Sequence, residues 1–144
     1  NNAVIMGKNT FESILNINKG SLKNRDNLIL STTLNVDNKN KTNNILKSFN
    51  NIQNLENFIK NKNYDTIWII GGEKIYDYFL NNYPSDGILV PQKIYISYIN
   101  KEFKCDSFFP TLDLLKYKFN SQEINTNIKN KDDLNIINII YSKI

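Results

Sequence analysis

The sequence predicts a single α/β domain over residues 1–144, with a mostly parallel central sheet, an antiparallel C-terminal hairpin and flanking helices. Three observations carry that expectation. Short apolar runs at residues 3–6, 27–30 and 66–70 are too brief for helices and are bounded by glycine or polar residues, as buried strands are. Segments with helical spacing separate them, which implies βαβ crossovers and parallel pairing. Near the C-terminus the pattern changes to alternation, as in strands with one covered face.

Taken in order, residues 3–6 form the first strand, ended by Gly7. Residues 10–15 carry Phe11, Ile14 and Leu15 at helical spacing, with Thr10 as N-cap candidate. Residues 27–30 form the second strand, and residues 36–44 a polar loop. Ile45 and Leu46 make a short strand, after which Ser48 is positioned to cap a helix with Ile52, Leu55, Phe58 and Ile59 on one face. Residues 66–70 run into Gly71 and Gly72, and Ile75, Tyr76, Phe79 and Leu80 mark another amphipathic helix. Pro84, Gly87 and Pro91 set out a surface loop. Residues 93–99 alternate, and residues 134–141 form the last strand.

Composition narrows the chemistry. The chain holds one cysteine and no histidine, which removes structural disulfides, histidine zinc sites and serine–histidine or cysteine–histidine catalysis; no metal site is expected. Cys105 reads as a buried small apolar residue. Asn, Ile and Lys number 27, 22 and 17, a bias expected of AT-rich coding DNA, so the Asn-rich stretches do not by themselves indicate disorder. The net charge of +4 is spread among acids along the whole chain, which argues against a nucleic-acid groove. Neither a secretory leader nor an apolar span of membrane length is recognisable, so an intracellular protein without a membrane partner is expected. Because the sequence opens on Asn1, with Met6 inside an apolar run, it reads as part of a longer chain.

Two glycine turns are candidates for anion binding. Gly71 and Gly72 follow a strand and open a helix, where backbone amides and the helix dipole favour negative charge, although for two glycines taken alone a tight strand-to-helix turn is the leading explanation. Gly7, Lys8, Asn9 and Thr10 make a second such turn, adding an ammonium and a hydroxyl. Both lie at the carboxyl ends of strands, where open α/β sheets bind ligands, and two anion sites suit a dinucleotide. Ser31, Thr32 and Thr33 bring hydroxyls to the same edge, with local capping as the alternative. Arg25, the only arginine, suits a bidentate carboxylate or phosphate contact, or else a surface salt bridge.

Four ordered segments resemble dihydrofolate reductases: VIMGKNTFESI at residues 4–14, LKNRDNLILS at 22–31, IWIIGGEKIYDYFL at 67–80 and KIYISYINKEFKCDSFFP at 93–110. The resemblance implies NADPH as cofactor, dihydrofolate as substrate, a role in one-carbon metabolism and a cytoplasmic location. A fused or associated thymidylate synthase is among the partners it allows. It places Gly7, Lys8, Asn9 and Thr10 at the cofactor phosphates, and Ser31 and Thr32 at the adenosine-phosphate end. Gly71 and Gly72, joined by a cis peptide, fall at the pyrophosphate with Glu73, Lys74 and Ile75, and Tyr76 beside the nicotinamide and pterin. Ile14 and Leu22 would line the benzoyl part of folate, Arg25 would grip its glutamate carboxylate, and the Ile70 carbonyl would meet the pterin amino group. Ser97 would support the catalytic carboxylate. No Asp or Glu here matches that carboxylate, so no catalytic residue is expected within the chain; the family carries it on a segment upstream of the position of Asn1, together with a strand. The 144-residue chain is therefore expected to be inactive alone, with the faces of residues 4–6 and 67–70 partly uncovered. The alternatives are a non-catalytic remnant or assembly portion of a larger polypeptide, or a related pterin or pyrimidine reductase.

Overall fold

The computed structural model describes residues 1–39, 44–125 and 136–144. They divide into two compact units, residues 1–78 and 79–144.

In the first unit, the run NAVIMG forms β1 (Asn2–Gly7), followed directly by helix α1 (Lys8–Asn18) and strand β2 (Asp26–Leu30). Short β3 (Asp37–Lys39), β4 (Ile45–Phe49), helix α2 (Ile52–Lys60), β5 (Thr66–Ile69) and helix α3 (Glu73–Asp77) follow. The sheet order is β3-β4-β2-β1-β5. β1 runs parallel to β2, with Ile5 opposite Leu28, and parallel to β5, with Val4 opposite Trp68; β2 and β4 are also parallel. Only β3 is antiparallel to its neighbour, β4. The expected βαβ unit is therefore present.

Strand β1 is interior to this sheet, which corrects one expectation. Its residues 3–6 are between 0 and 1% exposed, because β2 and β5 flank it and Val4 and Met6 join Phe11 and Ile29 in the core. Paired on both sides, residues 4–6 are not left uncovered. β5 ends the sheet order, and there Trp68 is 41% exposed while Ile67 and Ile69 are half-buried.

Helix starts also differ from expectation. α1 begins at Lys8 with Gly7 in the N-cap position, so Thr10 lies inside the first turn rather than capping it. α2 is capped by Asn51, whose Oδ1 accepts from the Asn54 amide at 2.8 Å. Ser48 belongs to β4, where its hydroxyl donates to the Leu34 carbonyl at 2.8 Å and accepts from the Val36 amide at 2.9 Å. It ties the strand to the preceding loop, three residues before the N-cap position that Asn51 fills. The 36–44 stretch is only partly a loop, since β3 occupies Asp37–Lys39; residues 40–43 lie outside the described residues.

After α3 the helical path continues as a π-helical turn, Tyr78–Asn82. The second unit contains β6 (Lys93–Ile99), β7 (Tyr117–Asn125) and β8 (Ile136–Lys143), an antiparallel sheet in the order β6-β8-β7. The C-terminal hairpin thus has a third strand, with β8 central. The expected start of the last strand, residues 134–135, lies outside the described residues. In the Pro84–Pro91 loop the Tyr83 ring packs against Gly87, and its hydroxyl accepts from the Leu89 amide at 3.2 Å, so the loop buries Leu89. Cys105 is exposed, contrary to expectation, in an irregular stretch between Lys104 and Asp106. Among the described residues no helix is long and apolar enough to cross a membrane.

Candidate functional site

The two glycine turns meet. The Gly7 amide, at the end of β1, donates to the Gly71 carbonyl at 2.8 Å, and one residue back the Ile70 amide donates to the Ile5 carbonyl at 2.9 Å. Parallel pairing of β1 with β5 thus continues past the strand ends and sets both strand-to-helix turns side by side. Neither turn tolerates a side chain freely. A Cβ on Gly7 would lie 3.1 Å from Ile75 Cγ1, and one on Gly72 would lie 3.3 Å from Thr10 Oγ1. Gly71 has φ +96°, a region that favours glycine, and the Tyr76 ring lies where its Cβ would be. The Gly71–Gly72 peptide is cis, as the resemblance implies.

The helix starts beside these turns have no side-chain cap, so the first-turn amides of α1 are left for solvent or a ligand. Lys8, in that first turn, has its ammonium 3.4 Å from Thr33 Oγ1 and 3.8 Å from the Glu12 carboxylate. Asn9 is exposed beside it, and Glu73 and Lys74 are exposed on the first turn of α3, followed by half-buried Ile75. The half-buried Tyr76 phenol has its pKa raised by burial, so it stays protonated at neutral pH.

Beyond β2, Ser31 works mainly on its own loop, as the capping alternative anticipated. Its Oγ accepts from the amides of Thr33 at 3.2 Å and Leu34 at 3.0 Å. The loop so shaped forms one wall of a cavity of about 610 Å³, in which Thr32 and Thr33 face residues of β4 and α2, including Lys47, Asn54 and Phe58. Lys47 pairs with Asp37 and lies 5.9 Å from the Phe58 ring centroid, while Phe58 packs against Phe49 at 5.2 Å. Sequence reasoning missed Lys47, Asn54 and Phe58. Only the alternation of β4 and the helical period of α2 could have placed them on a common wall.

A second group forms around the core. Ile14, Leu22 and Ile70 are partly buried and pack on the Val4, Met6, Phe11 and Ile29 cluster. Arg25 is exposed on the turn before β2, where its Nε donates to the Lys23 carbonyl at 3.1 Å. Adjacent Asp26 is 3% exposed and turns away from it: Oδ1 accepts from the Ile45 amide at 2.8 Å and Oδ2 from the Tyr64 hydroxyl at 2.7 Å. In the second unit, Ser97 donates across the strand pair to Asn138 Oδ1 at 2.7 Å.

Glycine turns at the carboxyl ends of adjacent parallel strands, beside a hydroxyl-lined cavity, define an α/β domain of the kind that binds ligands at the ends of its strands. Comparison with known proteins specifies the family. The model of the family described as dihydrofolate reductase matches residues 1–143, and the chain belongs to that family. It is 34% identical over 142 residues to a bifunctional dihydrofolate reductase-thymidylate synthase of Plasmodium chabaudi, covering 99% of this chain and 23% of the relative. It is 38% identical over 119 residues to a viral dihydrofolate reductase of Saimiriine herpesvirus 2 (strain 488), covering 81% and 52%, and 35% identical over 123 residues to a dihydrofolate reductase of Sus scrofa, covering 84% and 61%. The chain thus spans about a quarter to three fifths of the length of these relatives.

Proposed function

We propose that the polypeptide to which this chain belongs reduces 7,8-dihydrofolate to 5,6,7,8-tetrahydrofolate with NADPH, serving one-carbon and nucleotide metabolism in the cytoplasm. The observation that carries this reading is the direct contact of the two glycine turns, Gly7 amide to Gly71 carbonyl, in a chain whose length is matched almost throughout by the family.

The residues fit the cofactor. Two turns crowded enough to require glycine leave backbone amides within reach of a pyrophosphate, and the cavity beyond β2 combines hydroxyls, an ammonium and an aromatic ring, groups suited to a phosphorylated adenosine. When bound, NADPH supplies the hydride. Gly7, Asn9, Thr10 and Gly72, with the backbone of Glu73, Lys74 and Ile75, would hold the pyrophosphate. Lys8 would meet the 2′-phosphate, with Lys74 nearby, and Ser31 and Thr32 would border the adenosine. Tyr76 would lie beside the nicotinamide and, protonated, present a neutral face to it.

For the substrate, Ile14 and Leu22 would exclude water from the benzoyl ring, the Ile70 carbonyl would accept from the pterin amino group, and the Arg25 guanidinium would take the glutamate carboxylate through two parallel N–H donors. Ser97 would orient a carboxylate contributed by residues outside these 144, which would hydrogen-bond the pterin while N5 gains its proton. The bifunctional P. chabaudi relative suggests a fused or associated thymidylate synthase as partner.

The test follows absorbance of the reduced cofactor. The full-length polypeptide should oxidise NADPH only when dihydrofolate is added, whereas the 144-residue chain alone should quench NADPH fluorescence weakly and show no turnover. Absence of dihydrofolate-dependent oxidation by the full-length protein would remove the assignment.

A further inference from the structure

Buried polar side chains with several hydrogen bonds are the groups that set local geometry most firmly, and the first unit holds one that the proposed site does not use. Asn27, in β2, is 0% exposed. Its Oδ1 accepts from the Leu22 amide at 3.1 Å, while Nδ2 donates to the Leu22 carbonyl at 2.9 Å and to the Arg25 carbonyl at 3.0 Å. Leu22 therefore has both its backbone groups satisfied by one carboxamide, much as a neighbouring strand would satisfy them.

Between those anchored ends the chain reverses through Asn24, at φ +59°, and Arg25 folds its Nε back onto the Lys23 carbonyl. The Nη groups of Arg25 meet no protein acceptor among the described residues. Its neighbour Asp26 spends both carboxylate oxygens elsewhere, on Ile45 and Tyr64, so the buried anion does not capture the guanidinium. Two successive polar residues thus do opposite things. Asp26 fixes the start of β2 to β4 and Tyr64, and Asn27 fixes the turn that presents Leu22 and Arg25.

We propose that Asn27 is a positioning residue for substrate binding: without touching substrate, its carboxamide holds the backbone of Leu22 and Arg25 so that the guanidinium fork meets a carboxylate at the far end of the substrate. The proposal rests on the reading of Arg25 as the group that grips that carboxylate. A bidentate contact is sensitive to orientation, so a turn released from Asn27 binds carboxylate-bearing ligands more weakly while the rest of the pocket keeps its own affinity.

The test uses the full-length protein and two probes, dihydrofolate and a diaminopyrimidine inhibitor that lacks a carboxylate. Asn27→Ser, which removes both Nδ2 donations, should raise KM for dihydrofolate about tenfold, the scale of one charge-assisted hydrogen bond. kcat and inhibitor affinity should stay within about twofold, a split that a general loss of structure does not produce. In an Arg25→Ala background, Asn27→Ser should add no further rise in KM. An equal loss for both probes, or an undiminished effect in that background, overturns the proposal while leaving the Arg25 reading intact. If Arg25→Ala alone left KM for dihydrofolate unchanged, the reading of Arg25 would fail and the proposal with it. Should Asn27→Ser not fold, amide exchange in the wild-type protein decides: dihydrofolate should slow exchange at Leu22 about tenfold or more relative to the inhibitor complex, and equal protection by the two ligands overturns the proposal.

Discussion

Replacing Gly71 by alanine tests the construction of the site at its most crowded point. Two costs add there. The backbone sits at φ +96°, and a non-glycine residue in left-handed territory costs about 1–2 kcal/mol. The new methyl group would also lie 2.5 Å from Tyr76 Cε2 and 2.8 Å from its Cζ, against normal carbon contacts of about 3.5–4.0 Å. The ring must therefore retreat by about 1 Å, and overpacking of that kind costs about 1–3 kcal/mol. Together Gly71→Ala should destabilise the full-length protein by about 2–5 kcal/mol, a large share of a typical domain's 5–15 kcal/mol. Urea denaturation followed by circular dichroism measures the total, and a double-mutant cycle with Tyr76→Ala separates its parts. With the ring removed, the clash disappears and a coupling of about 1–3 kcal/mol should be recovered. Tyr76→Phe should recover little, because the nearest atoms are ring carbons. A loss under about 1 kcal/mol, or strict additivity with Tyr76→Ala, would refute the argument that the tyrosine ring enforces glycine at this position.

Three further outcomes are expected. Lys8→Ala should weaken NADPH binding by about tenfold or more while barely affecting NADH, since only NADPH carries the 2′-phosphate proposed as the partner of this ammonium; equal weakening in paired titrations would contradict the 2′-phosphate assignment. Tyr64→Phe should cost about 1–3 kcal/mol in thermal or urea unfolding, because it leaves one oxygen of the buried Asp26 carboxylate without its donor. The pH dependence has a definite sign. Burial first, then the hydrogen bond and charge of Asp26, raise the Tyr64 pKa above its ordinary value of 10.0. The protonated phenol therefore contributes stability fully below about pH 10 and loses it as pH rises towards the folded pKa. The stability curve of Tyr64→Phe should accordingly fall less steeply above pH 10 than that of the wild type; matching alkaline limbs would count against the assignment.

The legible parts of the fold were those whose burial leaves a mark on composition. β1 and β2 are short apolar runs because both their faces are covered, and such runs are readable without a structure; β5 reads the same way from its Ile-Trp-Ile run although Trp68 is 41% exposed. β3 leaves no mark: its residues, Asp-Asn-Lys, pair with β4 through backbone groups, so nothing in their side chains advertises a strand. β7 is hidden for another reason. A register shift between Phe119 and Ser121 breaks its alternation, and a period-2 pattern interrupted in mid-strand looks irregular. Within the site, the glycine turns were readable because glycine is scarce in this chain. Asn27 was not, because it is one of 27 asparagines and only three-dimensional contacts distinguish it from the rest. Lys47 and Phe58 belong to separate elements that meet only after folding.

Placing β1 between β2 and β5 also dictates an order of events during synthesis. Strand β1 acquires one neighbour soon after it leaves the ribosome, since Ala3 pairs with Asp26, but its other side stays open until Thr66 and the residues after it have emerged. Closing so long a loop costs little extra free energy, as each doubling in length adds only about 0.6 kcal/mol. It costs time, however, and the interval exposes one side of an apolar ribbon to other nascent chains. The hydrogen bond that joins Gly7 to Gly71 is therefore among the last to form in the first unit, so the cradle proposed for the cofactor is completed together with the sealing of the sheet.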